Sequence, residues 1–302
     1  MNYLLKRMLL APLVLLVIAL ATFAMVRSAK GGPFDAEREL APAVKAAMAE
    51  RMGWNRPLPE QFVRTLAGVA DGSLPTLSPG QTVGEVIRPK LGVSLLLGGA
   101  ALLLAVTAGL ALAISGARRP GGWLDRATAS AAMAAIAVPS FVIGPVLALF
   151  FGLRLGWLPS LGWGGLEHLL LPMATLAAAP AARIARLARS ALADAAHADH
   201  VRTARAKGVG EWTVLIRHQL RPALIPVVAF LGTAAAYLLT GSVVVEQVFS
   251  VPGLGSEMIQ ASFNRDHNLV LALTLLFGLL VVLCNLAADL LVALVDPRVR
   301  LS

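Results

Sequence analysis

Few residues in this chain could do chemistry, and most of them fall in one polar stretch, Ser190 to Leu231, reading SALADAAHADHVRTARAKGVGEWTVLIRHQLRPALIPVVAFL. His197 and His200 stand at i and i+3. That spacing sets two imidazoles side by side on a helix, but a zinc site draws on three or four ligands, and no Cys or third His neighbours them in sequence. They read as an exposed polar face, and no metal site is expected. Arg202, Arg205 and Lys207 follow, at offsets that spread them round a helix instead of along one face. Such cations meet carboxylates or phosphates, yet the chain has no Gly-x-x-x-x-Gly-Lys-Ser/Thr run, so it has no recognisable phosphate cradle of its own. Elsewhere, Ser140, Tyr237, Thr240 and Glu246 are polar groups set in apolar sequence, and they are the candidates for an interior path or gate. Glu246 stands out, because an ionisable group at membrane depth must face protein or water; on insertion scales Asp, Lys or Arg costs about 2.5 to 3.5 kcal/mol there. Capping or bridging packed helices near Pro252 and Gly253 is equally open to it.

The elements that must hold these residues are too apolar for an ordinary soluble domain. The 302 residues are 57% hydrophobic and 14% charged, with a mean hydropathy of +0.75. A hydrocarbon core about 30 Å thick needs roughly 20 apolar residues per helical span. Six windows meet that need: Leu9 to Val26, Leu91 to Ala117, Ala127 to Phe151, Leu169 to Ala185, Ala223 to Val248 and Leu269 to Val295. The fold expected is all-α, a polytopic membrane protein of six transmembrane helices. The fourth window is the weakest, interrupted by Pro172 and Pro180 and cut short by Arg183 and Arg186; the third, containing VPSFVIGP, is expected to kink at Pro139 or Pro145 and to turn Ser140 toward an interior path. Lys6, Arg7, Arg118, Arg119, Arg126, the cations of the polar stretch, Arg298 and Arg300 fall on one side, against Arg154 and Arg265 in the opposite short loops. By the positive-inside rule both termini are then cytoplasmic. The net charge of +9 follows from that bias, since the cations lie at membrane boundaries without aromatic interleaving, and no nucleic-acid partner is expected.

The first apolar run is longer than a signal core and lacks a clear small-x-small site, so it reads as an uncleaved span. Residues 1–90 form that helix plus an external soluble segment, with short helices at Ala41 to Met52 and Pro59 to Ala70; residues 91–302 form a five-helix core carrying a cytoplasmic loop, 186–222. Within that loop Ala191 to Lys207 lacks Gly and Pro and reads as one helix, ended by Gly208 and Gly210, with a second helix restarting at Glu211. Cys284 is the sole cysteine, which rules out an internal disulfide.

The run TARAKGVGEW followed by RHQLRPALIP resembles the cytoplasmic coupling loop of ABC importer permeases, in the branch that handles dipeptides and oligopeptides. That loop is named for a Glu-Ala-Ala, three residues, Gly pattern, which here falls on Arg202, Thr203, Ala204 and Gly208, an Arg replacing the acid. Thr240 to Gly255 also match the family's Gly-Ser-x-x-x-Glu-x-x-Phe-x-x-Pro-Gly-Leu-Gly run, Arg265 and Asp266 its Arg-Asp pair, and DPRVR its cytoplasmic end. AKGGPFD and DGSLPTLSPG depart from the family's runs on either side of the external segment.

The resemblance implies a type I ABC importer transmembrane domain of the bacterial inner membrane. It implies a binding-protein-dependent permease that translocates short peptides and holds no cofactor. ATP and Mg would be bound by two ATPase subunits or domains, alongside a second homologous permease and an extracytoplasmic solute-binding protein. In the family the coupling helix sits in a groove of the ATPase, which here assigns Arg202, Thr203, Ala204, Arg205, Ala206, Lys207 and Gly208 to that contact, with small Ala204 and Ala206 suited to close packing and Arg205 chosen as the ion-pairing residue. Importers of nickel, glutathione or antimicrobial peptides use permeases of the same branch and remain alternatives. An intramembrane enzyme would need a buried nucleophile and base on adjacent spans, and His168 and His267 lie in boundary loops instead.

Overall fold

The computed structural model describes residues 3–28, 42–240 and 242–295, and every regular element among them is helical. In chain order these are α1 (Tyr3–Ser28), α2 (Pro42–Arg51), α3 (Leu58–Asp71), α4 (Val83–Ala117), α5 (Trp123–Ala137), and α6 (Ser140–Leu147), which runs on as a π-wound turn, Ala148–Arg154. Then follow α7 (Leu166–Ala195), α8 (Asp199–Ala206), α9 (Glu211–Thr213), a second π-wound turn (Val214–Gln219), α10 (Leu220–Thr240), α11 (Val243–Phe249), α12 (Leu254–Phe263) and α13 (His267–Val295). Five helical stretches are long and apolar enough to cross a membrane, and a sixth span is made if the bent pair α5 and α6 counts as one. Ala41, AKGGPFD and DPRVR lie outside the described residues.

The third window bends at Pro139, as expected, though by 106° and as two helices; the fifth window and the Ala191 to Lys207 helix are corrected. Val138 takes an extended backbone (φ −87°, ψ 122°) because the ring of Pro139 excludes the helical conformation before it, and Ser140 begins the next helix. The fifth window divides, α10 stopping at Thr240 and Glu246 riding on the separate α11. The Ala191 to Lys207 helix is also two, because Ala198 is extended (φ −69°, ψ 146°) and α8 starts afresh at Asp199. The fourth window, by contrast, is more helical than its prolines suggest. Pro172 and Pro180 are both buried inside the continuous α7, where neighbouring helices can satisfy what proline frees.

α7 is the centre of the bundle, and its closest partner is α4. Leu97, Ala101 and Ala105 pack with Leu176, Ala181, Ile184 and Ala188. At Gly109 a Cβ would fall 2.7 Å from the Ala181 carbonyl and 2.8 Å from Ile184, so this approach requires glycine. Small residues that let backbones close in are how helices associate in lipid, which offers no hydrophobic drive of its own.

At the opposite end from the polar loop, the segment before α4 is stitched onto α12 and α13. Leu74 and Val83 join Leu254, Leu269 and Leu273 in a second apolar cluster. Thr82 and Glu85 form a capping box that starts α4. Lys90 pairs with Glu257, Asn268 donates to the Pro75 carbonyl at 2.8 Å, and the Asp266 carboxylate accepts from the amides of Leu77 (2.7 Å) and Leu269 (3.1 Å). The Arg27 guanidinium lies 3.6 Å from the centre of the Trp54 ring, so the end of α1 is held here too.

Burial pushes the carboxyl of Asp266 above the usual carboxylate range despite those two amides. The folded state therefore binds a proton more tightly than the unfolded chain, so the contribution of Asp266 is complete below about pH 3.9 and declines as pH rises through its folded value. Hydrogen exchange at the Leu77 amide should show this tether opening more readily at pH 7 than at pH 4, after correction for intrinsic exchange. The reverse order would show that the amide bonds outweigh burial.

Candidate functional site

The polar loop folds around a core of its own. Val201 and Ala204 of α8 are buried against Val214, with Ala198 and Val209 alongside. Ala204 thus faces its own chain, and Arg202, Thr203, Arg205, Ala206, Lys207 and Gly208 are left on the exposed side. Gly208 ends α8 with φ +78°, and nothing lies within 4 Å of where a Cβ would stand. Arg205 is not a free cation. Its guanidinium forks onto Glu211 (2.9 and 3.1 Å) and reaches the Ala196 carbonyl at 3.2 Å, tying α8 to the chain before and after it. His197 and His200 each meet a backbone carbonyl, of Ala193 and His218, and among the described residues no three His, Cys, Asp or Glu come together.

Beneath the loop is a cavity of about 800 Å³ between the feet of α4, α5 and α7 and the turn into α10. Arg189 forks onto the buried Asp125 at 2.5 and 2.9 Å, and Asp125 also accepts from the Gly121 amide at 2.9 Å. Across the cavity the Arg118 guanidinium lies 4.4 Å from the centre of the Trp212 ring. These contacts join the α4–α5 turn to both the foot of α7 and the polar loop. Sequence reading missed them because the partners are 64 residues apart for Asp125 and Arg189, with no local signal.

Higher in the bundle, the bend between α5 and α6 opens a cleft of about 230 Å³ against α7 and α10. Ser140 and Tyr237 line it together, with Thr175, Arg183, Phe230 and Thr233. Thr240 is not in this cleft, and its hydroxyl donates to the Ala236 carbonyl at 2.7 Å. Arg183 enters the sequence reading only as an interruption of a span, yet among the described residues it is the cation that lines the cleft.

Glu246 is fully buried and accepts four hydrogen bonds. Its Oε1 accepts from the hydroxyls of Ser94 and Ser242, both at 2.7 Å, and its Oε2 from the amides of Gly255 (2.7 Å) and Ser256 (3.0 Å). Ser94 Oγ accepts in turn from the Leu254 amide at 2.8 Å. The carboxylate caps the N-terminus of α12, where free amides and the helix dipole favour a negative charge, and it joins α4, α11 and α12. Gly253 packs against it so closely that a Cβ would overlap the carboxylate. Spacing in the run Thr240 to Gly255 thereby acquires a physical reason: Ser242 and Glu246 share a helix face, Phe249 is buried, Gly253 leaves room for the carboxylate, and Gly255 lets α12 approach the backbone of Val243.

Residues 105–301 match the family model described as "Binding-protein-dependent transport system inner membrane component". The chain belongs to that family. The oligopeptide transport system permease protein OppB of Haemophilus influenzae is 37% identical to this inner membrane component, across 99% of each chain. OppB of Salmonella typhimurium is also 37% identical with the same coverage, and the dipeptide transport system permease protein DppB of Bacillus subtilis is 33% identical across 99% of this chain and 98% of its own. Solved structures of the same fold include an amino acid ABC transporter (17% identity, TM-score 0.53, covering 71% of this chain and 94% of that one) and the inward-facing MetNI methionine ABC transporter (21%, 0.53, 68% and 93%). The component is therefore a multi-pass inner membrane protein with the fold of a type I ABC importer transmembrane domain, and it is a permease subunit, not itself the catalyst.

Replacing Glu246 by Ala should leave two amides and two hydroxyls around an empty space and cost at least about 3 kcal/mol, read as a lower Tm in detergent and protease sensitivity at the α11–α12 turn. Thr240→Ala, losing only a bond within its own helix, should stay within about 0.5 kcal/mol of the wild type.

Proposed function

We propose that this permease carries short peptides across the inner membrane, with the polar loop facing the cytoplasm and driven by ATPase subunits that bind ATP and Mg. Similarity to the oligopeptide and dipeptide permeases along 99% of the chain is the observation that carries the substrate class. The exposed face of α8 and its end, formed by Arg202, Thr203, Arg205, Ala206, Lys207 and Gly208 and held on the small core around Val201, Ala204 and Val214, offers a firm knob for an ATPase groove. A second permease of similar fold would complete the pathway, and a solute-binding protein would deliver cargo to the opposite end, where the segment before α4 is stitched to α12 and α13. ATP-driven closure of the ATPases would draw two such loops together and switch the paired permeases between inward and outward access.

The positive-inside charge pattern supports both termini in the cytoplasm and the α2–α3 segment outside. Cysteine substituted at the exposed Ser73 should react with an impermeant thiol reagent in spheroplasts. Labelling from the cytoplasmic side alone would invert the orientation. For the function itself, the chain co-expressed with its genomic neighbours should retain an ATPase through purification in mild detergent, and the reconstituted complex should take up peptide only with ATP inside. Stable purification with no ATPase, or peptide uptake without ATP, would refute the assignment.

Gly208 links fold to function. A side chain at φ +78° costs about 1 to 2 kcal/mol, too little to unfold the bundle, and it would project into open space beside α8. Gly208→Leu should leave Tm nearly unchanged while lowering peptide-stimulated ATP hydrolysis at least tenfold. Normal stimulation would place the ATPase contact elsewhere.

A further inference from the structure

We propose that Arg183 binds the free carboxylate of the peptide in transit, which rests on the peptide reading above. Arg183 is an exposed cation on α7 that lines the cleft below Ser140. Gly109 packs against Ala181 and Ile184, and Gly116, seven residues on, packs against Asp125 at the foot of the bundle. At 1.5 Å per residue, Arg183 is about 10 Å in from that foot. Among the described residues, none of those lining its cleft is acidic, and the nearby carboxylates at the foot are engaged, Asp125 by Arg189 and Glu211 by Arg205. Its guanidinium meets no carboxylate among the described residues and is open to an incoming anion.

The cleft's composition suits one end of a peptide. Arg183 offers a planar fork that matches a carboxylate, while Ser140, Thr233 and Tyr237 bring hydroxyls and Phe230 an apolar wall. A carboxylate leaving Arg183 would find further cations along the same helix. Arg186 and Arg189 line the recess next below, and both open onto the 800 Å³ cavity under the polar loop. Steps of three residues turn these cations by about 60° each, a gentle spiral toward the foot of α7. Arg189 is held by Asp125, whereas Arg186 has no such carboxylate among the described residues, which makes it the next resting point.

The test uses the full complex with its solute-binding protein in proteoliposomes, and trialanine against its C-terminal amide, compared at equal occupancy of the binding protein. The wild type should carry the acid at least tenfold faster than the amide. In Arg183→Gln that ratio should collapse to within twofold through loss of acid transport, and Arg183→Lys should restore part of it. A ratio near one in the wild type, or an unchanged ratio in Arg183→Gln, would overturn the proposal. So would equal losses for both peptides, which would mark Arg183 as the mate of a carboxylate on the second permease. A wild-type complex with an intact ATPase that takes up no peptide at all would overturn the peptide reading and this inference together; preserved uptake with an unchanged ratio removes this inference alone.

Discussion

A helix can break inside a bilayer only where protein or enclosed water, and not lipid, meets the backbone groups that the break sets free. Two breaks organise this chain. Between α5 and α6 the restriction before Pro139 ends one helix, and the Pro139 carbonyl accepts from the amides of both Val142 and Ile143 as the next begins. The result is a bend of 106° whose concave side faces α7 and α10, so space appears between helices that would otherwise close on one another. The second break, between α10 and α12, is satisfied by Glu246, which supplies acceptors for the amides that start α12 and for a hydroxyl on α4. One break makes a cavity and the other closes an end.

The two ends of the bundle are held by different physics. Around α12 and α13 the joints are buried, with Glu246, Asp266 and the cluster of Leu74, Leu254 and Leu273 removed from solvent, so they are stiff and insensitive to salt. Around α8 the joints are an exposed fork, Arg205 on Glu211, and a stacked ring, Arg118 on Trp212, while the fork of Arg189 on the buried Asp125 holds the foot of α7. Exposed pairs are individually worth little, yet guanidinium forks and ring contacts fix direction even where they add small stability. This end can therefore be displaced as a unit at modest cost.

Much of this was legible in the sequence. Periodicity and apolar length locate the spans, the glycines at 208 and 210 bracket the end of α8 and the restart at Glu211, and Pro139 marks the bend, because each acts through the backbone within a few residues of itself. The role of Glu246 was only half legible. Its neighbours Ser242, Gly253 and Gly255 stand in the same run, but Ser94 comes from a helix 152 residues away. α7 runs well past the fourth window because Arg183 and Arg186 end an apolar count without ending a helix, and packing against α4 holds it through both prolines. The motif register and small size of Ala204 point it to the partner contact, while the hydrophobic pairing that turns it inward depends on Val214, beyond the turn at Gly208. Arg183 looked like the edge of a membrane window, and only the bend of another helix makes it part of a cleft.

α7 is the one element common to these features. Its foot carries Arg189, locked to the α4–α5 turn through Asp125, and the chain leaving it at Ala196 is bonded by Arg205 of the polar loop. Its middle is packed on α4 at a spacing that only glycine at 109 permits, and the face opposite that seam lines the cleft beneath Ser140. A helix 30 residues long without a break transmits a push at its foot to its middle with little loss, since bending it would disturb a close-packed seam. Under the proposed function, a load placed on α8 reaches the cleft through Arg205, Ala196 and the length of α7, and the contacts that carry it are the same ones that hold the loop in shape.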